Sequence, residues 1–555
     1  MKKVSFNLLT VVSIGLLVSA CSNPSKMIDA ADQVQKSCDP QVLEAKADVI
    51  DARYTLTFPA KYFHKKAVLE VIPVLVYEGG EEVGASKWLQ GEGVSSNYTT
   101  IPQTGGSASQ AVQFKYKEGM QSAHLDLRVK LHYKNKATDF PSPFKLADGT
   151  IITYKLVDTD GVPVLAPNAY QPTYTETQEA QIKYQIQSAA VRSSELSKAD
   201  IKALKTFLEE ANKNERKQIA GTNIVAYASP DGPEQLNTKL SSDRSKTAKS
   251  ALDNATRKIK NKGAVNLSTI SEDWDGFSEL VAASTIQDKD LILRVLSMYN
   301  DPVVREREIK NMSKVYQVLA DKVLPELRRA SLVANVTVQN YTDQELSDFV
   351  AQNNVEGLDV EALLHAATLV DDNATKVSLY EKAGEKFGDW RAYNNLAYVR
   401  LAEGKLADAK AALAKVTTAN DIVKNNNGVV ALREGRIDDA EKLFTEAGKL
   451  PAATQNTAVI AILKGNYPDA VSKLASSNTF NAALANVLVQ NYSKASDILK
   501  NVTTAKASYL KAVIAARNGN GSQVASELKD AYAKDASLKA RAQKDIEFAK
   551  FQSNI

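Results

Sequence analysis

The sequence predicts a multidomain chain: an N-terminal β-sandwich, a central α/β domain of βαβαβ order and a C-terminal all-α solenoid. Three observations carry this reading. Between about residues 46 and 157 apolar residues recur at every second position. Between 176 and 340 that period of two alternates with a period of 3.6. Beyond 358 a helical pattern repeats itself, with a glycine and an alanine in fixed register. A length of 555 residues accommodates three such cores.

The first element is a leader. Lys2 and Lys3 precede an apolar run from Leu8 to Leu17, which closes on "LVSAC" at Cys21. A short apolar run ending on small residues and a cysteine reads as a secretory signal over 1–20, with Cys21 as the acylated mature N-terminus. The run is too short to span a bilayer comfortably. Several acyl chains, at about 0.8 kcal/mol per buried methylene, give a stable anchor instead. Residues 21–45 are then expected as a lipidated tether. Acylation of Cys21 leaves Cys38 as the only other cysteine. The domains must therefore be held by their cores, without an intramolecular disulfide.

Within the span 46–157, "SAHLDLRVKLHY" places Leu125, Leu127, Val129, Leu131 and Tyr133 on one face, and "DARYTLTF" does the same with Ala52, Tyr54, Leu56 and Phe58. These are half-buried antiparallel strands. His124 and His132 share the polar face, but eight residues of strand separate them by roughly 26 Å, too far to share an ion. Clustered prolines mark an extended linker over 158–175. "AQIKYQIQSAA", "GTNIVAYA", "AVNLSTI" and "ASLVANVTVQ" read as strands of the central domain, 176–340. Between them, "SKADIKALKTFLEEA" reads as a helix with Ser197 as its N-cap, and a second helix opens on "LSSDRS". A linker over 341–357 leads to the repeats of 358–550. There Gly404, Gly435 and Gly465 stand in register with Gln490, each followed five residues later by Ala409, Ala440, Ala470 and Ala495; a fifth unit ends on Ala525. Glycine ends one helix, and the small alanine lets the next pack closely against it.

These repeats resemble tetratricopeptide repeats, which implies a scaffold for protein partners. The stretch "AYASPDGPEQLNTKLSSDRSKTAKSAL" resembles the OmpA-like, peptidoglycan-associated domain through Gly232, Asn237, Leu240, Ser241 and Arg244, and "LPELRRASLVANV" resembles that family's terminal junction through Arg328 and Arg329. With the lipobox, the chain is similar to envelope lipoproteins of the Bacteroidota type. The resemblance implies a pocket for the diaminopimelate end of a wall stem peptide, in which Arg244 grips the carboxylate in a fork. Ser229 occupies the position of the family's aspartate. The grip is therefore expected to lack a charge-assisted bond worth about 1.5–3 kcal/mol, unless Asp231 swings in. Ser229, Asp231, Asn237 and Arg244 are the candidate wall-binding residues.

Net charge is +4, and losing Lys2 and Lys3 with the leader takes it to +2. Charges of both signs are interspersed, which excludes a nucleic-acid stripe. Four histidines stand at His64, His124, His132 and His365 without metal-ligand spacing, and no phosphate-binding glycine loop follows a strand. The acids of "SEDWDG" fit a helix start. No catalysis and no cofactor are expected. The function expected is an outer-membrane lipoprotein facing the periplasm, associating with peptidoglycan through the central domain and with envelope proteins through the repeats. The alternatives are a scaffold subunit of a secretion or uptake complex without wall binding, and a surface-exposed glycan- or host-binding lipoprotein. "SNPSKMIDAAD" after Cys21 lacks the early acidic run that surface export uses in similar lipoproteins.

Overall fold

A computed structural model describes residues 23–555; the expected leader and acylation site at Cys21 lie outside them. The chain divides into two compact units, one built from residues up to Ala166 together with Gly388–Ile555, the other from Pro167–Phe387.

In the first unit eleven strands form one hydrogen-bonded sheet. Alternation decides its faces: strand Val49–Phe58 buries Ile50, Ala52, Tyr54, Leu56 and Phe58, and strand His124–Tyr133 buries Leu125, Leu127, Val129 and Leu131. The sheet curls instead of splitting into the two layers of a sandwich. Strand Val42–Lys46 joins its halves, pairing antiparallel with Val49–Phe58 and parallel with Phe144–Ile151. The expected tether over 21–45 is corrected at the same point. Strand Gln35–Asp39 pairs with Val49–Phe58 from Gln35↔Thr57 to Asp39↔Arg53. Cys38, Leu43 and Ala45 are buried, and Met27 is held by the Tyr62 hydroxyl on its carbonyl. Two strands of five residues suffice to bury Cys38, Leu43 and Ala45, runs too short to stand out from a polar lead-in.

The same unit carries antiparallel helix pairs, among them Trp390–Ala402 with Leu406–Leu413, Asp421–Arg433 with Ile437–Glu446, and Pro451–Leu463 with Tyr467–Lys473. They are tetratricopeptide-like, and each turn is built alike. Gly404, Gly435, Gly465 and Gly519 have φ between +72° and +75°, and the residue after each donates to a carbonyl five residues back, as Asn466 does to Ala461 at 2.8 Å. This is the left-handed helix ending that glycine favours. Gln490 adopts it too, at φ +61°, with Asn491 donating to Asn486. Ala409, Ala440, Ala470 and Ala495 are fully buried, as the close packing of paired helices requires. In the fifth unit the register falls on Val524, five residues after Gly519; Val524 is fully buried while Ala525 is only half-buried. The C-terminal end of the array packs on the turns that flank the sheet's strands: Thr153 donates to Glu547 at 2.6 Å and Ser122 to the Lys544 carbonyl at 3.1 Å, while Arg517, within the array, pairs with Glu547.

The second unit holds a four-stranded sheet in the order Thr173–Lys183, Arg329–Gln339, Lys217–Tyr227, Ala264–Ile270, with the last pair parallel and the others antiparallel. Helices Ala199–Lys213 and Glu234–Ala255 cover a core of Ile182, Leu204, Leu208, Ile224, Ala248, Leu332 and Val336. Ser197 is not the N-cap; it ends the short helix Ser193–Leu196, and its hydroxyl donates to the Ser194 carbonyl. Helix Ala199–Lys213 is flanked by Lys198 without a side-chain cap, and Asp200 instead accepts from the Gln181 amide. The second helix begins at Glu234, a turn and a half before "LSSDRS". The stretch from Trp274 to Leu327 is helical and closes its own small core around Phe277, Val281, Ile292 and Leu319. Within the expected linker 341–357 lies helix Asp343–Ala351, with a capping box between Thr342 and Glu345.

Replacing Gln490 by glycine relieves a left-handed side-chain clash and is expected to stabilise the first unit by about 0.5–1 kcal/mol. Gly465→Ala costs about 1 kcal/mol by the same argument. Thermal unfolding of the two variants reads both signs.

Candidate functional site

The residues that follow the curled sheet, "DTDGVPVLA" over 158–166, have no regular secondary structure, yet they are held along the helix pairs by asparagine side chains. At each rung one asparagine grips both main-chain groups of one residue. Asn395 accepts from the Ala166 amide at 2.7 Å and donates to the Ala166 carbonyl at 3.0 Å. Asn426 does so with Val164 at 2.7 and 2.8 Å, and Asn456 with Val162 at 2.7 and 3.1 Å. Asn481 completes the series on Asp158, both bonds at 2.8 Å. A side-chain amide thus plays the part of a neighbouring strand.

A second row supports the first. Asn394 donates to the Val164 carbonyl and Asn425 to the Val162 carbonyl, at 3.1 and 3.0 Å. Asn426 and Asn456 in turn donate to the side-chain carbonyls of Asn394 and Asn425. Asn394, Asn395, Asn425, Asn426 and Asn456 are all buried. Such a network is stabilising only when every member is satisfied, because an unpaired buried amide costs about 1–3 kcal/mol.

The strap is written to match. Its rungs at 162, 164 and 166 need an N–H, and its prolines stand between and beyond them at Pro163 and Pro167. Proline there removes no donor that the ladder uses. It also biases the preceding residue, Val162 and Ala166, toward the extended backbone that the rungs require. From Val162 to Asp158 the chain takes four residues to reach the next rung. Asp160 turns back onto the Asp158 carboxylate at 2.9 Å, Gly161 has φ +69°, and Arg433 donates to the Asp160 carbonyl at 2.6 Å. A Cβ on Gly161 would stand 3.2 Å from Val429. Val162 and Leu165 remain 39% and 37% exposed, so main-chain bonds hold the strap more than side-chain burial does.

In the second unit the four residues of the expected wall-binding pocket are placed differently from one another. Arg244 is 1% exposed, and its guanidinium donates to the carbonyls of Ser188, Tyr227 and Gln185 at 3.0, 2.8 and 3.3 Å. Burial pushes its pKa down to about 10, which leaves it charged at neutral pH. Asp231 is paired with Arg328 at 3.0 Å and accepts from Ser229, whose hydroxyl also accepts from Arg328 at 3.2 Å. Asn237 is buried and donates to the Gly232 carbonyl at 2.9 Å. Arg329 is paired with Asp273 at 2.8 Å and lies over the Tyr227 ring. Lys310 and Tyr316, from the helices after Trp274, lie within electrostatic reach of Asp231. A ligand carboxylate would have to displace three carbonyls to reach Arg244. A ligand ammonium would find Asp231 already neutralised.

The ladder was missed by the sequence reading, although a signal for it exists. Asn395, Asn426, Asn456 and Asn481 each stand nine residues before the helix-ending position, Gly404, Gly435, Gly465 and Gln490. A polar residue recurring at a position that helix packing buries marks a shared hydrogen-bonding task.

No family model and no curated protein matches the chain. Among solved structures, it is similar to one titled as the APC/C hetero-tetramer Cut9–Hcn1, with a TM-score of 0.32 and 13% identity over 58% of this chain and 71% of that one. Yeast Tom70 matches with a TM-score of 0.26 and 12% identity, over 58% of this chain and 75% of that one. Likeness this distant leaves the helical array defined by its own geometry.

Asn426→Ala strips two of the three bonds on Val164, leaving that from Asn394, and removes one bond each from Asn394 and Asn425. The expected loss is about 2–4 kcal/mol of stability, together with faster cleavage of 158–166 by a nonspecific protease. Thermal unfolding and limited proteolysis measure the two effects.

Proposed function

We propose that this chain is a non-catalytic, lipid-anchored scaffold of a bacterial outer membrane, facing the periplasm, whose helical repeats serve first to hold its own connector. The observation that carries the reading is the ladder: two hydrogen bonds on each of four rungs engage the chain itself. A tethered segment competes at millimolar effective concentration. A foreign peptide must therefore bind far more tightly than the strap to enter this groove. Partners of the scaffold are accordingly envelope proteins that meet its outer surfaces. The anchor is read from the lipobox at Cys21.

The central domain is OmpA-like in this proposal, kept as a docking module and not as a grip on peptidoglycan. The supporting geometry is the engagement of Arg244 by three carbonyls and of Asp231 by Arg328. Between the alternatives, this favours a subunit of an outer-membrane assembly over a wall-binding lipoprotein. The absence of an early acidic run after Cys21 in the sequence favours the periplasmic over the outer face.

Two measurements test the proposal. The full chain, mixed with purified peptidoglycan sacculi and sedimented, is expected to stay in the supernatant; saturable retention would restore the wall-binding reading. In cells, Cys21→Ser is expected to move the protein from the outer-membrane fraction to the soluble fraction. An unchanged distribution would remove the anchor.

A further inference from the structure

The four-stranded sheet of the second unit has two edges of opposite character. Strand Thr173–Lys183 carries Glu176, Glu179 and Lys183, charges of the kind that discourage pairing with another chain. Strand Ala264–Ile270, "AVNLSTI", carries no charge, no proline and no bulge, and it pairs in unbroken register with Lys217–Tyr227 on one side only. It is exposed along nearly its whole length, with Leu267 at 42% and Ile270 at 39%. An exposed, uncharged edge of seven residues without a bulge is a template for another strand.

The flanks of the strand say which one. Before it come Arg257, Lys258 and Lys260, all exposed; after it come Asp275 and Glu279, also exposed. A second copy of the same strand laid antiparallel sets the basic flank of each copy beside the acidic flank of the other, at both ends. A parallel copy would set like beside like. We infer that Ala264–Ile270 pairs antiparallel with the same strand of a second copy of this chain, joining two four-stranded sheets into one of eight across a two-fold axis. Full overlap puts Leu267 opposite its own symmetry mate, where side chains are about 5 Å apart. The contact is isologous, as two-fold association requires. A seven-residue strand pair buries less than the roughly 1,200 Å² of a standard interface, so the association is concentration-dependent, not obligate.

Sedimentation equilibrium of the full chain at low salt tests this, with three variants. A monomer–dimer equilibrium is expected. Leu267→Lys, which brings two ammonium groups together at the axis, is expected to weaken it by about tenfold or more. Because Leu267 is an exposed edge residue, the variant remains folded, which its circular dichroism checks. Reversing the basic flank with Lys258→Glu and Lys260→Glu is expected to weaken the dimer. Adding Asp275→Lys and Glu279→Lys to the same chain is expected to restore it. In a Cys21→Ser chain, oxidation of Leu267→Cys with diamide is expected to give a disulfide-linked dimer, which Met298→Cys in a Cys21→Ser chain with Leu267 intact does not give. A chain that stays monomeric throughout overturns the inference. So does a dimer indifferent to Leu267→Lys and to the charge reversals, which would mean association through another surface.

Discussion

The first unit depends on a main chain held by side chains. A segment without secondary structure normally leaves its amides and carbonyls to water. Here four asparagines supply what a neighbouring strand would otherwise supply, and they do so from helices. Because the bonds go to the backbone, they fix the register of the strap without reading its side chains. Proline placement at 163 and 167 completes the match, by stiffening the strap where no donor is needed. The strap follows the sheet's last strand, Phe144–Ile151, after a short helical turn, Thr153–Leu156, that buries Tyr154 and Leu156. The ladder and the Glu547 contacts therefore hold one sheet against the array at separate points.

A related economy governs the second unit. A guanidinium withdrawn from water is costly unless it finds hydrogen-bond acceptors or a counter-charge. Arg244 meets that demand with carbonyls, Arg328 with Asp231 and Ser229, and Arg329 with Asp273. Residue types that in a binding pocket would face a zwitterion are here engaged in holding a loop, a turn and a strand end together. In each unit the groups best suited to recognition are already committed to the chain itself. Among the described residues, the uncharged sheet edge Ala264–Ile270 remains exposed.

Much of the architecture was legible in the sequence because packing leaves a periodic trace. The alternation of "DARYTLTF" and "SAHLDLRVKLHY" gave the faces of two strands, and the Gly/Ala register gave the helix pairs, including the helix ending at Gln490, where no glycine stands. The strands at 35–39 and 42–46 were not legible, since each buries only one or two side chains. Nor was helix Asp343–Ala351, whose Thr342–Glu345 capping box lies in a polar stretch. The candidate pocket shows a different limit. Spacing placed Arg244 on the right helix, though at its start and not in its middle, and two of its three partners come from Gln185 and Ser188, some sixty residues away, which no local pattern announces. The asparagines lay between: their nine-residue offset is visible in the sequence, while the strap they grip is more than two hundred residues upstream.

The first unit depends on the strap being held along the helices in solution. Amide hydrogen exchange of the full chain, resolved to residues 158–166, addresses this most directly. Strong protection at Asp158, Val162, Val164 and Ala166, in a segment with neither helix nor strand, is the predicted result. Exchange at these four amides as fast as in an unstructured peptide would contradict it.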